Sequence, residues 1–325
     1  MLGVTLGDPA GIGPEVVAGA LARASAELRA QVRVYGDPEV LARGARAMGV
    51  AVDVACAGEA CATSPGRPDL ASGVAQVAWL EAAIAAARGG EVDGLVTAPI
   101  SKTWARAAGL AFPGHTELLA ARFDARDVAM TFVGPRLVVA LATVHVPLAQ
   151  VPGLLSEGRI VAVGELLAGA LARELGRAAP VRIGVVGLNP HAGEGGLLGD
   201  DEVRLVEPAI ARLRAQLGAR AVVGGPLVPD AAFRDAAEGR WDGLVALYHD
   251  QALIPVKLLD FEDAVNVTLG LPIVRTSPDH GTAYDLAGSG RARVTSMLRA
   301  LELAAEMVRR RRAVRSEAWG VRREA

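Results

Sequence analysis

Short apolar runs rich in Val, Ile and Leu alternate with longer Ala/Leu-rich amphipathic stretches along most of this 325-residue chain. No other feature constrains the fold as tightly. A run of four to eight apolar residues bounded by turn residues suits a strand covered on both faces. Strands are expected at 3–6, 32–35, 94–97, 128–132, 137–144, 183–187, 244–248 and 264–269, with helices at 14–29, 72–88, 157–175 and 202–217. The final helix is marked by Val294, Met297, Leu298, Leu301 and Val308, which share one helical face. Such alternation predicts an α/β protein: three α/β/α layers around a mixed sheet. At about 150 residues per domain, the length suits two domains. No long linker separates two halves, so a second domain is expected to be inserted and closely packed.

Charge and composition narrow the class. The chain has 34 basic and 36 acidic residues, a net charge of −2, which provides no general drive toward nucleic acid or an anionic membrane. A basic tail (Arg309 to Arg312, Arg315, Arg322 and Arg323) is the local exception and reads as decoration of a helix end. No stretch of about 18 apolar residues is evident, so a soluble, cytoplasmic protein is expected. Cys56 and Cys61 are the only cysteines and form no CxxC pair, which fits a reducing compartment.

Histidine carries the most chemical information. There are five: His115, His145, His191, His249 and His280. Three of them, His145, His191 and His249, follow apolar β-runs. In an open parallel sheet, ligands bind beyond the carboxyl ends of the strands. Three imidazoles delivered to that edge suit a catalytic metal with an open position, and imidazole also accepts metals other than zinc. The competing reading, in which each histidine separately caps a strand or bonds a loop carbonyl, stays open. The segment from Thr5 to Glu15 is a strand, a Gly/Pro loop and a helix start; it suits an anion-binding turn, but more readily a plain tight turn. Thr116 is a candidate N-cap for a helix over 117–122.

Motif by motif, the chain resembles the 4-hydroxythreonine-4-phosphate dehydrogenase family of pyridoxal phosphate biosynthesis. The resemblance rests on Gly7-Asp-Pro-Ala-Gly-Ile-Gly-Pro14, Thr97-Ala-Pro-Ile-Ser-Lys102, Gly114-His-Thr-Glu117 and Gly187-Leu-Asn-Pro-His-Ala-Gly-Glu-Gly-Gly196. It continues through Tyr248-His-Asp-Gln251, Asn266-Val-Thr-Leu-Gly-Leu-Pro272 and Arg275-Thr-Ser-Pro-Asp-His-Gly-Thr-Ala283. It implies an isopropylmalate dehydrogenase-like fold of two interlocked domains: 1–125 with 268–325 on the cofactor side, and 126–267 on the metal and dimer side. It implies His145, His191 and His249 as ligands of a divalent ion, zinc first, with magnesium or cobalt as other candidates. One of the three, His249 by expectation, comes from the partner of a homodimer whose site lies at the interface.

The resemblance further implies substrate contacts at His115, Thr116, Lys257, Asn266 and Arg275. Asp230, Asp250 and Lys257 are implied in catalysis. Gly193, Gly196, Thr268, Leu271, His280 and Gly281 are implied in binding NAD or NADP. The implied reaction is oxidation of 4-phosphohydroxy-L-threonine, a phosphorylated hydroxy amino acid, to 2-amino-3-oxo-4-phosphooxybutanoate. That β-keto acid decarboxylates to 3-amino-2-oxopropyl phosphate. Relatives acting on threonate or erythronate 4-phosphate, or on a dihydrodiol carboxylate, share the N-terminal loop and the three histidines, whereas Gly114-His-Thr-Glu117 and Asp279-His-Gly-Thr-Ala283 lean toward the phosphohydroxythreonine substrate. A non-redox metal-dependent hydrolase or lyase is the alternative from another class.

Overall fold

In a computed structural model of the chain, residues 1–320 are described. Among them are eleven strands: β1 (Leu2–Thr5), β2 (Val32–Tyr35), β3 (Ala55–Ala57), β4 (Gly94–Thr97), β5 (Ala129–Val133), β6 (Val138–Leu141), β7 (Val181–Val186), β8 (Ala221–Leu227), β9 (Gly243–Ala246), β10 (Val265–Leu269) and β11 (Val274–Ser277). The chain divides into two compact units. The first holds Met1–Ala125, Val265–Val267 and Leu271–Val308; the second holds Arg126–Ala264, Thr268–Gly270 and the chain from Arg309. Relative to the expected boundaries, 265–267 move to the first unit, and 268–270 and 309 onward move to the second.

In the first unit the strands run β3-β2-β1-β4-β11-β10. All neighbours are parallel except the β10–β11 pair. The helix Leu70–Arg88 packs on β1, β2 and β4 and buries Trp79, Leu80 and Ile84. A capping box between Asp69 and Ser72 starts it. By length and composition this helix is apolar enough to cross a membrane, contrary to expectation; 56% of that apolar window is buried inside the protein. The helix expected over 14–29 breaks at Ala24, and Ser25 caps a second short helix, Ala26–Arg29.

In the second unit the order is β5-β6-β9-β7-β8. β6, β9, β7 and β8 are mutually parallel, and β5 is antiparallel to β6. Alternation along these strands builds two cores. Val186, Leu244 and Ala246 join Phe132, Leu141 and the helices Pro229–Ala237 and His249–Asp260 on one face. Gly243 turns the other way, toward Leu167 and Leu171 of the helix Glu157–Arg173. The sheet is thus covered on both sides, as the apolar runs require. The final helix starts at Thr295 and carries Arg309–Arg312, where Arg311 bonds the buried Glu174 at 2.9 Å. Arg322 and Arg323 lie outside the described residues, as does the side chain of Arg315.

Candidate functional site

Three adjacent parallel strands of the second unit, β6, β9 and β7, deliver one histidine each past their carboxyl ends. His145 follows β6, His249 opens the helix after β9, and His191 lies in the turn after β7. The loops are fastened to one another by buried polar groups. Thr143 Oγ1 donates to Leu247 O at 2.7 Å. The Gln251 side chain accepts from Leu247 N and donates to Gly187 O, both at 2.7 Å. A buried amide therefore ties the His249 loop to the His191 loop, and a threonine ties the His145 loop to the His249 loop.

The imidazoles of His145 and His249 come together, with ring centroids 5.5 Å apart and planes at 44°. Asp250 Oδ1 lies 2.6 Å from His249 Nδ1. A carboxylate there fixes the tautomer with its proton on Nδ1 and leaves Nε2 as the ligand atom, an arrangement typical of metal-binding histidines. His145 has φ of 51°, a left-handed conformation that a non-glycine residue adopts at a cost. Thr143, His145, Val151, Tyr248, His249 and Asp250 line a pocket of about 50 Å³. Among the described residues, no group of three or more His, Cys, Asp and Glu side chains is placed to hold an ion. The pair is thus a partial donor set. His249 sits beside its own chain's His145.

His191 belongs to an unusual turn. His191, Ala192, Gly193, Glu194 and Gly195 all have positive φ, between 44° and 77°. The three non-glycine residues cost about 1–2 kcal/mol each in this conformation. His191 Nδ1 lies 3.4 Å from Glu194 Oε2. The start of the turn is held by Glu202, which is 2% exposed. Its Oε1 accepts from Leu188 N and Asn189 N, both at 2.7 Å, and its Oε2 accepts from Asn189 Nδ2 at 3.0 Å. Gly193, expected near the cofactor, is buried against this carboxylate: a Cβ there would lie 2.6 Å from Glu202 Oε2. Gly196 is exposed.

Asp230 is exposed near the start of the helix Pro229–Ala237. Lys257 lies on the His249 helix, its Nζ 5.1 Å from the Phe261 ring centroid. Thr268 and Leu271 are buried, while His280 and Gly281 reach the surface.

The first unit gathers a second constellation. His115 is the first residue of the helix His115–Arg122. Gly114, not Thr116, occupies the N-cap, without a side-chain cap. Arg275, on β11, is buried and donates from Nη2 to Thr97 Oγ1 at 2.8 Å. Burial pulls its guanidinium down to about 10, opposed by Glu117. Burial, then the charges of Arg275 and Lys102, holds the His115 imidazole well below its ordinary value. His115 Nε2 and Asn266 Oδ1 are buried and have no hydrogen-bond partner. Orphaned buried polar atoms beside a buried cation mark a place built for a ligand. In the sequence, Lys102 and Glu117 carry no mark as site residues beyond their place in the 97–102 and 114–117 motifs.

Internal bonds occupy several of the N–H groups of the Thr5–Glu15 loop. Asp8 N donates to Pro99 O, Ala10 N to Asp8 Oδ1, Gly11 N to Asp8 O, and Ile12 N to Thr282 O. A Cβ at Gly11 would come within 2.8 Å of Thr282 O. The buried Asp8 also accepts from Tyr284 OH at 2.6 Å, and the buried Glu15 accepts from Gly288 N and Gly290 N. The loop is a clasp for the 282–290 segment.

The fold and these two constellations place the chain among α/β enzymes that work at strand ends. The sequence profile of the pyridoxal phosphate biosynthetic protein PdxA matches residues 15–304, and the chain belongs to that family. It is 45% identical to the 4-hydroxythreonine-4-phosphate dehydrogenase of Desulfosudis oleivorans, over 94% of this chain and 95% of that one. The crystal structure of 4-hydroxythreonine-4-phosphate dehydrogenase from Klebsiella pneumoniae superposes with a TM-score of 0.84 at 39% identity, covering 95% and 98% of the two chains. A terephthalate 1,2-cis-dihydrodiol dehydrogenase from Burkholderia xenovorans matches at TM-score 0.67 and 30% identity, covering 93% and 96%. The chain is thus an oxidoreductase of pyridoxal phosphate biosynthesis, and the non-redox reading is set aside.

Proposed function

We propose that the protein oxidises 4-phosphohydroxy-L-threonine with NAD or NADP, giving 2-amino-3-oxo-4-phosphooxybutanoate, which decarboxylates to 3-amino-2-oxopropyl phosphate. One observation carries the reading: paired imidazoles of His145 and His249, the latter oriented by Asp250, beyond the ends of parallel strands. The residues fit a divalent ion, zinc first, held by Nε2 of His249 and by His145, with His191 completing the set at the interface of a homodimer. Such an ion, when bound, supplies Lewis acidity that lowers an alcohol pKa and polarises a ketone, and the nicotinamide supplies the hydride acceptor.

The chain's own groups do the rest. Asp250 holds the proton at His249 Nδ1. Asp230 and Asp250, both exposed, are the acceptors proposed for the alcohol proton. Arg275 and Lys102 attract the substrate's anionic groups, and the neutral His115 and Asn266 offer it hydrogen bonds; Thr116 and Lys257 complete the contacts. For the nicotinamide cofactor we assign Gly193, Gly196, Thr268, Leu271, His280 and Gly281. Cys56 and Cys61 are free thiols, which suits an enzyme of the reducing cytoplasm.

A second reading, oxidation of a dihydrodiol carboxylate, draws on the Burkholderia xenovorans neighbour. NADH absorbance tests both. The expected outcome is divalent-ion-dependent NADH production with 4-phosphohydroxy-L-threonine and little with threonate 4-phosphate or a dihydrodiol carboxylate. Preference for either control would move the protein to that substrate.

A further inference from the structure

The turn that carries His191 is held from one side by a buried carboxylate that contacts neither imidazole pair nor solvent. Glu202 receives three hydrogen bonds, and all come from Leu188 and Asn189, the two residues just before Pro190 and His191. Asn189 Nδ2 also donates to Asp201 Oδ2 at 3.1 Å. Both Gly193 and Gly199 press on this cluster: a Cβ at Gly193 would lie 2.6 Å from Glu202 Oε2, and one at Gly199 would lie 2.5 Å from Asn189 Nδ2. Glu202 begins a π-helical turn, Glu202–Val206, a rare geometry that is frequent at functional sites. Nearby Arg204 pairs with Asp200 and Asp201, so the Glu202 carboxylate is met by N–H donors and not by a cation.

A left-handed run containing His, Ala and Glu does not persist by itself; it needs surroundings that over-determine it. A buried charge held only by the N–H groups at the base of that run supplies such surroundings. We infer that Glu202 is a positioning residue for His191: its carboxylate fixes the backbone from which the left-handed turn projects the imidazole. The inference rests on the reading of His191 as a metal ligand. It adds a residue outside the ligand set on which ion affinity depends.

The test uses the full-length protein as Glu202→Ala, Glu202→Gln, His191→Ala and the double variant His191→Ala/Glu202→Ala. Cobalt(II) affinity is read by competition with a chromophoric chelator, and amide hydrogen exchange is followed over residues 188–199 in metal-free protein. Glu202→Ala should weaken cobalt binding about ten- to hundred-fold, as loss of an outer-shell partner does, and should speed exchange across 188–199. Glu202→Gln, which keeps the acceptor for the two backbone N–H groups, should lose less. In the His191→Ala background, removing Glu202 should cost no further affinity, because its effect passes through His191. An equal loss in both backgrounds, or cobalt affinity within two-fold of wild type in Glu202→Ala, overturns the inference. Should Glu202→Ala fail to fold by circular dichroism, Glu202→Gln carries the same comparison. Should the wild type bind no ion, the functional reading fails, and exchange alone decides: unchanged protection over 188–199 in the variant overturns the positioning role.

Discussion

At the scale of single residues, two buried groups make the chain's pH behaviour specific. His115 is held neutral by burial and by Arg275 and Lys102. The unfolded chain takes up a proton near pH 6.5 that the folded His115 refuses. Its contribution is therefore neutral above that pH and turns against the folded state as pH falls. Urea melts should show stability declining as pH falls below about 6.5, by at most about 1.4 kcal/mol per pH unit from this group. His115→Asn should flatten that slope; an unchanged slope would assign the decline elsewhere. Asp8 and Tyr284 form the other case. Burial raises the Asp8 carboxyl, and burial with the bond to Asp8 pushes the Tyr284 phenol up to about 12. Ultraviolet titration should find this tyrosine ionising late, and Asp8→Asn should bring it down. Tyr284→Phe leaves a buried carboxylate oxygen without its donor and should cost about 1–3 kcal/mol of unfolding free energy; a neutral result would mean that water replaces the phenol.

At the scale of elements, Gln251 matters more than its place in the Tyr248-His-Asp-Gln251 motif suggests. It joins the ends of β9 and β7 through one acceptor and one donor. Gln251→Leu keeps the volume but orphans Leu247 N and Gly187 O. It should cost about 1–3 kcal/mol for each group, read by urea unfolding. Gln251→Glu keeps the acceptor and loses the donor, so it should fall between the two; a Glu variant as unstable as Leu would mean that the Gly187 bond dominates.

Which elements were legible follows from the same chemistry. β2 and β4 were read to the residue because β-branched runs announce them. β8 was missed because Gly224-Gly225-Pro226 reads as a turn, and β3 because Ala-Cys-Ala has no β-branched residue. β11 was missed because Val-Arg-Thr-Ser is mostly polar, although all four residues are buried. In the site, the three histidines were visible as polar endings to apolar runs. The left-handed turn was not, because Ala192 and Glu194 carry no mark of positive φ. Glu202, expected simply to open a helix, gave no sign of reaching back to Leu188 and Asn189.

For the whole molecule, the two units differ in how their chain is supplied. Nearly all of the second is one stretch, Arg126–Ala264, whereas the first combines Met1–Ala125 with Leu271–Val308. The clasp makes this literal, since Glu15 and its partner Gly288 are 273 residues apart in sequence. A ribosome adding about 5–20 residues per second takes roughly 15–50 s to cover that distance. During that time Glu15 and Asp8 have no clasp to close, while the histidine-bearing strands β6, β7 and β9 have all emerged. Pulse proteolysis of stalled nascent chains should find the 126–264 stretch resistant while residues 1–125 are still cut. Protection of 1–125 before residue 290 is made would show that the early segment holds itself together. The Gly7–Pro14 segment is synthesised long before the residues that clasp it and, on this account, is finished only after they arrive.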